Sequence, residues 1–87
     1  MNTASTFVID NRPAERIYAG MREMARGKGK LGGPPSDQSW CGIICRYYPN
    51  SGTYNWFATT AGRDITKGLK KPQVLSLINI QLGEAQS

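Results

Sequence analysis

From Pro13 to Arg26 the apolar residues recur at spacings of three and four. Ile17, Met21 and Met24 form the stripe, Ala14 and Ala25 extend it, and charged side chains fill most of the rest. That period predicts an amphipathic helix over 13–26. Asp10 or Asn11 offers an N-cap, and Pro13 suits the first turn, where its missing N–H has no partner to lose. Gly20 lies inside this helix at a cost of up to about 1 kcal/mol relative to Ala, so either it packs closely against a neighbour or the helix is weak.

Between Trp40 and Gly62 the period changes to alternation. Two apolar-rich runs flank Pro49-Asn50-Ser51-Gly52, a turn signal, and the stretch holds both tryptophans, three of the four tyrosines and both cysteines. It predicts a β-hairpin. Near the end of the chain, Val74, Leu75, Ile78 and Leu82 make a second helical stripe, broadened by Leu77 and Ile80. Residues 73–82 could instead be a buried strand, but Pro72 at the start, Gly83 as a C-cap and the length favour a helix.

The connecting segments are less patterned. Thr6–Ile9 is a candidate third strand. Residues 27–39, GKGKLGGPPSDQS, hold four glycines and two consecutive prolines and are expected to form a flexible Gly/Pro/Lys-rich loop. Ala61-Gly62-Arg63-Asp64 is expected to turn the chain, and 65–71 has no clear period. The fold class is therefore α+β: a small single domain over 6–83, with the hairpin packed against two helices. Residues 1–5 and 84–87 are expected as flexible ends.

Alternation sorts the hairpin into two faces if Tyr48 pairs with Thr53. Cys41, Ile43, Cys45, Tyr47, Tyr54, Trp56 and Ala58 form an apolar face, assigned to the core. Trp40, Ile44, Arg46, Tyr48, Thr53, Asn55, Phe57 and Thr59 form a mixed face. Cys41 and Cys45, four apart on one strand, would lie about 13 Å apart, beyond the roughly 7 Å a disulfide spans. Both are expected as buried thiols in a reducing compartment.

Charge adds a direction. Eleven Lys/Arg against six Asp/Glu give the 87 residues a net charge of +5, which favours an anionic partner. The cations fall into groups: Arg12, Arg16, Arg22, Arg26, Lys28 and Lys30 on the first helix and loop, and Arg63, Lys67, Lys70 and Lys71 before the last helix. An anion at that helix's N-terminus would engage Lys70, Lys71 and the free backbone N–H groups; two solvated lysines are the plainer expectation.

Catalytic equipment is missing. The chain has no histidine, and with it go the commonest general base, the commonest metal ligand and every Ser–His or Cys–His pair. Two cysteines alone make no ordinary zinc site, the acidic residues are scattered, and Gly27-Lys28-Gly29-Lys30 lacks the context of a phosphate-binding loop. A non-enzyme without a cofactor or metal is expected. No charged start leads into an apolar run and no stretch approaches the roughly 18 apolar residues that span a bilayer, so a cytoplasmic chain without a membrane partner is expected.

Three functions fit these features. The first is a small basic binding protein that contacts a host protein or ribonucleoprotein complex through Trp40, Arg46, Tyr48, Asn55 and Phe57. In size and build it is like phage-type regulators and inhibitors of polymerases or nucleic-acid-guided nucleases, a likeness carried by no motif. The second is direct DNA or RNA binding, with aromatics stacking bases and Arg16, Arg22, Arg26, Lys28, Lys30, Lys67, Lys70 and Lys71 meeting phosphates. The third is a structural subunit that homodimerises through a strand edge or the last helix.

Overall fold

A computed structural model describes residues 10–60 and 63–86. In chain order the elements are α1 (Arg12–Lys28), β1 (Ser36–Trp40), β2 (Ile43–Tyr48), β3 (Thr53–Thr60), β4 (Arg63–Lys67) and α2 (Lys71–Gln86). The four strands form one antiparallel sheet in sequence order, β1-β2-β3-β4. Both helices pack on the same face of it, so the architecture is the expected α+β. The candidate strand at Thr6–Ile9, the N-terminal end, and Ala61 and Gly62 of the expected Ala61–Asp64 turn lie outside the described residues.

The β2–β3 hairpin has the expected register: Tyr48 pairs with Thr53, Cys45 with Trp56 and Ile43 with Ala58. Strand β1 is an addition, occupying the last part of the segment expected as a loop. SDQSW has only one apolar residue, but its alternation is regular: Ser36, Gln38 and Trp40 are half-buried, while Asp37 and Ser39 are exposed. The turn into β2 is Cys41-Gly42, with φ of 50° and 80°. Two consecutive positive φ values are the signature of the two-residue turn that best matches strand twist, normally written Asn-Gly. Gly42 is needed there twice over, because a Cβ would also come within 3.0 Å of the Thr59 carbonyl oxygen.

This turn moves two residues from their expected places. Trp40 belongs to β1 opposite Ile43, which puts it on the core face, half-buried against the helices, and not on the mixed face. Cys41 sits in the turn and is exposed; Cys45 alone is a buried thiol, and both cysteines are free.

Other boundaries shift for local reasons. Arg63 and Asp64 pair with Thr60 and Thr59 in β4 instead of turning the chain, after a register shift at Ala58/Thr59. Helix α2 runs through Gly83 to Gln86, so Gly83 is no cap and 84–86 is no tail. Glu84, Ala85 and Gln86 are good or fair helix formers by residue type, and the helix continues past one glycine.

The core joins Ala14, Met21 and Ala25 of α1, Ile43, Cys45 and Trp56 of the sheet, Leu69, and Val74 and Ile78 of α2. Met24 is 57% exposed, so it lies off the stripe. Tyr18 takes its share of the contact, stacking on Trp56 with ring centroids 4.6 Å apart and planes 11° from parallel.

Each helix start is satisfied from nearby. Asn11 is the N-cap residue of α1 but makes no side-chain cap bond; Asp10 Oδ1 instead accepts the Arg12 N–H at 3.0 Å. At α2, Gln73 Oε1 accepts the Lys70 N–H at 2.8 Å, the returning half of a capping box.

Candidate binding face of the sheet

Strand parity carries Asp37, Ile44, Arg46, Tyr48, Asn55 and Phe57 to the sheet face opposite the core cluster. Asp37, Arg46 and Asn55 form one cross-strand row, and Ile44 stands opposite Phe57. The Arg46 guanidinium is held on two sides. Its Nε and Nη2 donate to Asp37 Oδ1 and Oδ2 at 2.7 and 2.9 Å. Its plane lies over the Phe57 ring, 4.8 Å from the centroid. Phe57 is only 5% exposed although it belongs to no helix-covered cluster.

The pairing sets the electrostatics. The hydrogen bonds from Arg46 hold the Asp37 carboxyl below its ordinary pKa against a smaller opposing effect of burial. The same bonds raise the Arg46 pKa, with Tyr48 adding a smaller contribution. Both partners are charged at neutral pH. Their charges cancel locally, so this face presents a fixed planar cation already matched to a carboxylate.

Four of the five expected contact residues are therefore together: Arg46, Tyr48, Asn55 and Phe57. Trp40 is not among them. Asp37 is the member the sequence reading missed, and the exposed positions of SDQSW were the available signal.

The expected anion-binding residues are more dispersed, and several are engaged. Arg22 lies over the Tyr54 ring at 4.5 Å, beside the Tyr47–Tyr54 contact. Arg26 pairs with Glu23. Lys28 Nζ donates to the Asp37 carbonyl at 3.0 Å. Lys71 pairs with Glu15 at 3.1 Å and sits 5.2 Å from the Tyr18 ring centroid. Lys70 is exposed, and its backbone N–H is taken by Gln73. At the start of α2, Gln73 thus takes the Lys70 N–H and Glu15 takes the Lys71 ammonium. Among the described residues, Arg16, Lys30 and Lys70 show no ion-pair partner. Lys67 falls opposite Phe57 in the register of β3 and β4.

The loop between α1 and β1 is hydrogen-bonded at its tip. Gly33 N–H donates to the Lys30 carbonyl at 2.7 Å, Gly32 has φ of 79°, and Gly32 N–H donates to Asn50 Oδ1 at 3.1 Å. This turn, with Gly at the position that needs positive φ, ties the loop to the β2–β3 hairpin and leaves Leu31 93% exposed.

Burial pushes the Cys45 thiol up to about 11, so it is no nucleophile at neutral pH. Among the described residues no group of three or more His, Cys, Asp or Glu stands together as a metal site, and no helix is long and apolar enough to cross a membrane. No protein-family model, curated protein or solved structure matches the chain.

Proposed function

We propose that this is a small non-enzymatic binding protein that docks on the protein surface of a larger complex through the face of Arg46, Tyr48, Asn55 and Phe57. The observation that supports the reading is the Arg46 guanidinium fixed between Asp37 and Phe57 on the sheet face opposite the helices. Arginine and aromatic side chains are the usual anchors of protein interfaces, and an anchor held in place before binding loses little conformational entropy. Use against a host polymerase or nucleic-acid-guided nuclease, in the manner of a phage-type regulator or inhibitor, is the specific form we favour.

Direct nucleic-acid binding is the second reading. It loses ground on this face, because Arg46 is already paired and covers the ring on which a base would stack. Its support is the other end of the chain's charge, where Arg22 caps Tyr54 and Lys30 is exposed.

The test is recovery of partners from cell extract on immobilised protein, with and without nuclease, using wild type and Arg46→Ala/Tyr48→Ala. The expected result is a nuclease-resistant protein partner that the folded double variant loses. A partner lost on nuclease treatment, together with oligonucleotide affinity that falls steeply with salt, would favour the second reading. A partner retained by the double variant would remove this face from either role.

A further inference from the structure

Strand β1 is the outer strand at one side of the sheet. The two-residue turn at Cys41-Gly42 makes Trp40 and Ile43 a hydrogen-bonded pair, and the pairs alternate from there. Gln38 and Ser36 therefore bond to β2, while Asp37 and Ser39 turn their backbone N–H and C=O groups outward. Side chains alone meet these outward carbonyls. Lys28 Nζ donates to that of Asp37 at 3.0 Å, and Gln38 Nε2 to that of Ser39 at 3.4 Å. Among the described residues neither outward N–H has an acceptor.

Helix α1 runs back along this edge. Ser36 Oγ donates to the Ala25 carbonyl at the start of β1, so earlier turns of α1 lie toward Trp40. Two stripes flank the buried stripe of Ala14, Met21 and Ala25. Asn11, Glu15, Tyr18 and Arg22 form one, which meets α2 through Asn79 and Lys71 and β3 through Trp56 and Tyr54. Ile17, Met24 and Lys28 form the other, on the side away from α2. Lys28 shows where this stripe lies, since its ammonium reaches the outer edge of β1. Met24, one turn back, stands beside the same edge and is 57% exposed. The stripe and the edge are the two walls of a groove.

A chain laid there in extended form would continue the sheet. Its backbone would bond to Asp37 and Ser39, and alternate side chains would turn toward Met24 and Lys28. Charge selects which chain. Lys28 now spends its ammonium on a carbonyl that an incoming backbone N–H can take over, which frees the ammonium for a carboxylate. Lys30, exposed and without an ion-pair partner among the described residues, adds charge of the same sign. A second copy is opposed, because edge-to-edge pairing brings Lys28 to the seam from both sides and joins two chains of +5. Lysine on a sheet edge is a common guard against such self-pairing. We propose that the groove between the β1 edge and the Ile17–Met24–Lys28 stripe takes an extended acidic segment of a partner protein, with an apolar side chain on Met24 and a carboxylate on Lys28. The groove is separate from the face carrying Arg46 and does not depend on the role of that face.

Fluorescence anisotropy with a short labelled peptide tests it, the peptide placing Val and Glu at alternate positions between threonines. Saturable binding is expected below about 1 mM. Lys28→Glu should weaken it about tenfold or more, and the same variant should prefer a peptide with Lys in place of Glu. Lys28→Gln serves as a milder second variant, and circular dichroism checks that each is folded. Arg46→Ala/Tyr48→Ala should bind as wild type does. A proline at the centre of the peptide should abolish binding, because it removes a ladder N–H. Amide exchange at Asp37 and Ser39 should be fast in the free protein and slow about tenfold or more with peptide. No saturable binding overturns the proposal, as does equal binding of the lysine peptide by wild type. Protection of both amides in the free protein also overturns it, since the edge would then be occupied by this chain or a second copy.

Discussion

On one face of the sheet, Trp56 is 5% exposed beneath two helices, stacked on Tyr18 and adjoining Cys45. On the other, Phe57 is also 5% exposed, but it stands outside that cluster with a guanidinium across its ring. Neighbours in sequence thus reach equal burial by different means. Trp56 is enclosed by close-packed apolar side chains, which cannot open without unfolding the domain. Phe57 is covered in part by Arg46, whose position depends on Asp37, so its cover is polar and can rearrange without disturbing the helices. Equal exposure therefore conceals unequal energetics: one residue holds the fold, and the other holds a surface in a defined shape.

The sharpest way to break this comparison is to truncate both rings. Trp56→Ala should destabilise the domain by about 3–5 kcal/mol, as a core aromatic truncation that leaves Tyr18 without its stacking partner. Phe57→Ala should lose about 2–3 kcal/mol, the value of burying the ring without a rigid surrounding cavity. Urea unfolding monitored by circular dichroism measures both. If the two losses are equal, Phe57 belongs to a second packed core and the distinction fails.

The same contrast explains what was legible in the sequence. The β2–β3 hairpin followed from alternation of bulky side chains around Pro49–Gly52, and its register placed Cys45 and Trp56 in the core correctly. The α1 stripe was right in period but rotated, because Tyr18 was not counted as apolar although its ring stacks on Trp56, while Met24 points outward. Strand β1 was hidden because an edge strand with one apolar residue carries little hydrophobic signal, and its turn is written Cys-Gly in place of Asn-Gly. Missing β1 had two consequences for the site. Alternation within the hairpin alone puts Trp40 on the wrong face, and leaves Asp37, the residue that fixes Arg46, in a loop. Long-range pairing across the sheet, which brings Asp37 to Arg46, has no local signature in composition or period.

Asp37→Asn probes that pairing at smaller cost. The ion pair is roughly two-fifths exposed on each side, so its removal should lower stability by no more than about 1 kcal/mol. The sign with pH follows from the direction of the shift. Asp37 titrates below its ordinary value of 3.8 in the folded chain, so its contribution is complete above that value and is lost as pH falls through the lower, folded pKa. Wild type should therefore lose stability below about pH 4 more steeply than Asp37→Asn, with the difference between the two isolating this carboxyl from Asp10. Indistinguishable acid limbs would mean that the guanidinium is held over Phe57 without help from the carboxylate.

The smallest effect has the opposite sign and lies inside helix α1. Gly20 is inside α1, and a Cβ built on it meets nothing within 4 Å. It does not serve close packing, so the alternative drawn from its position applies: the helix carries its conformational cost. Gly20→Ala should stabilise the domain by about 0.5–1 kcal/mol, by narrowing the unfolded ensemble and adding no strain to the folded one. The gain should appear equally in wild type and in the Phe57→Ala background, because α1 packs on the opposite side of the sheet and independent sites add. A gain that differs between those backgrounds would show that α1 and the Arg46 face are coupled through the sheet. The two faces would then no longer be separable in energy as they are in geometry.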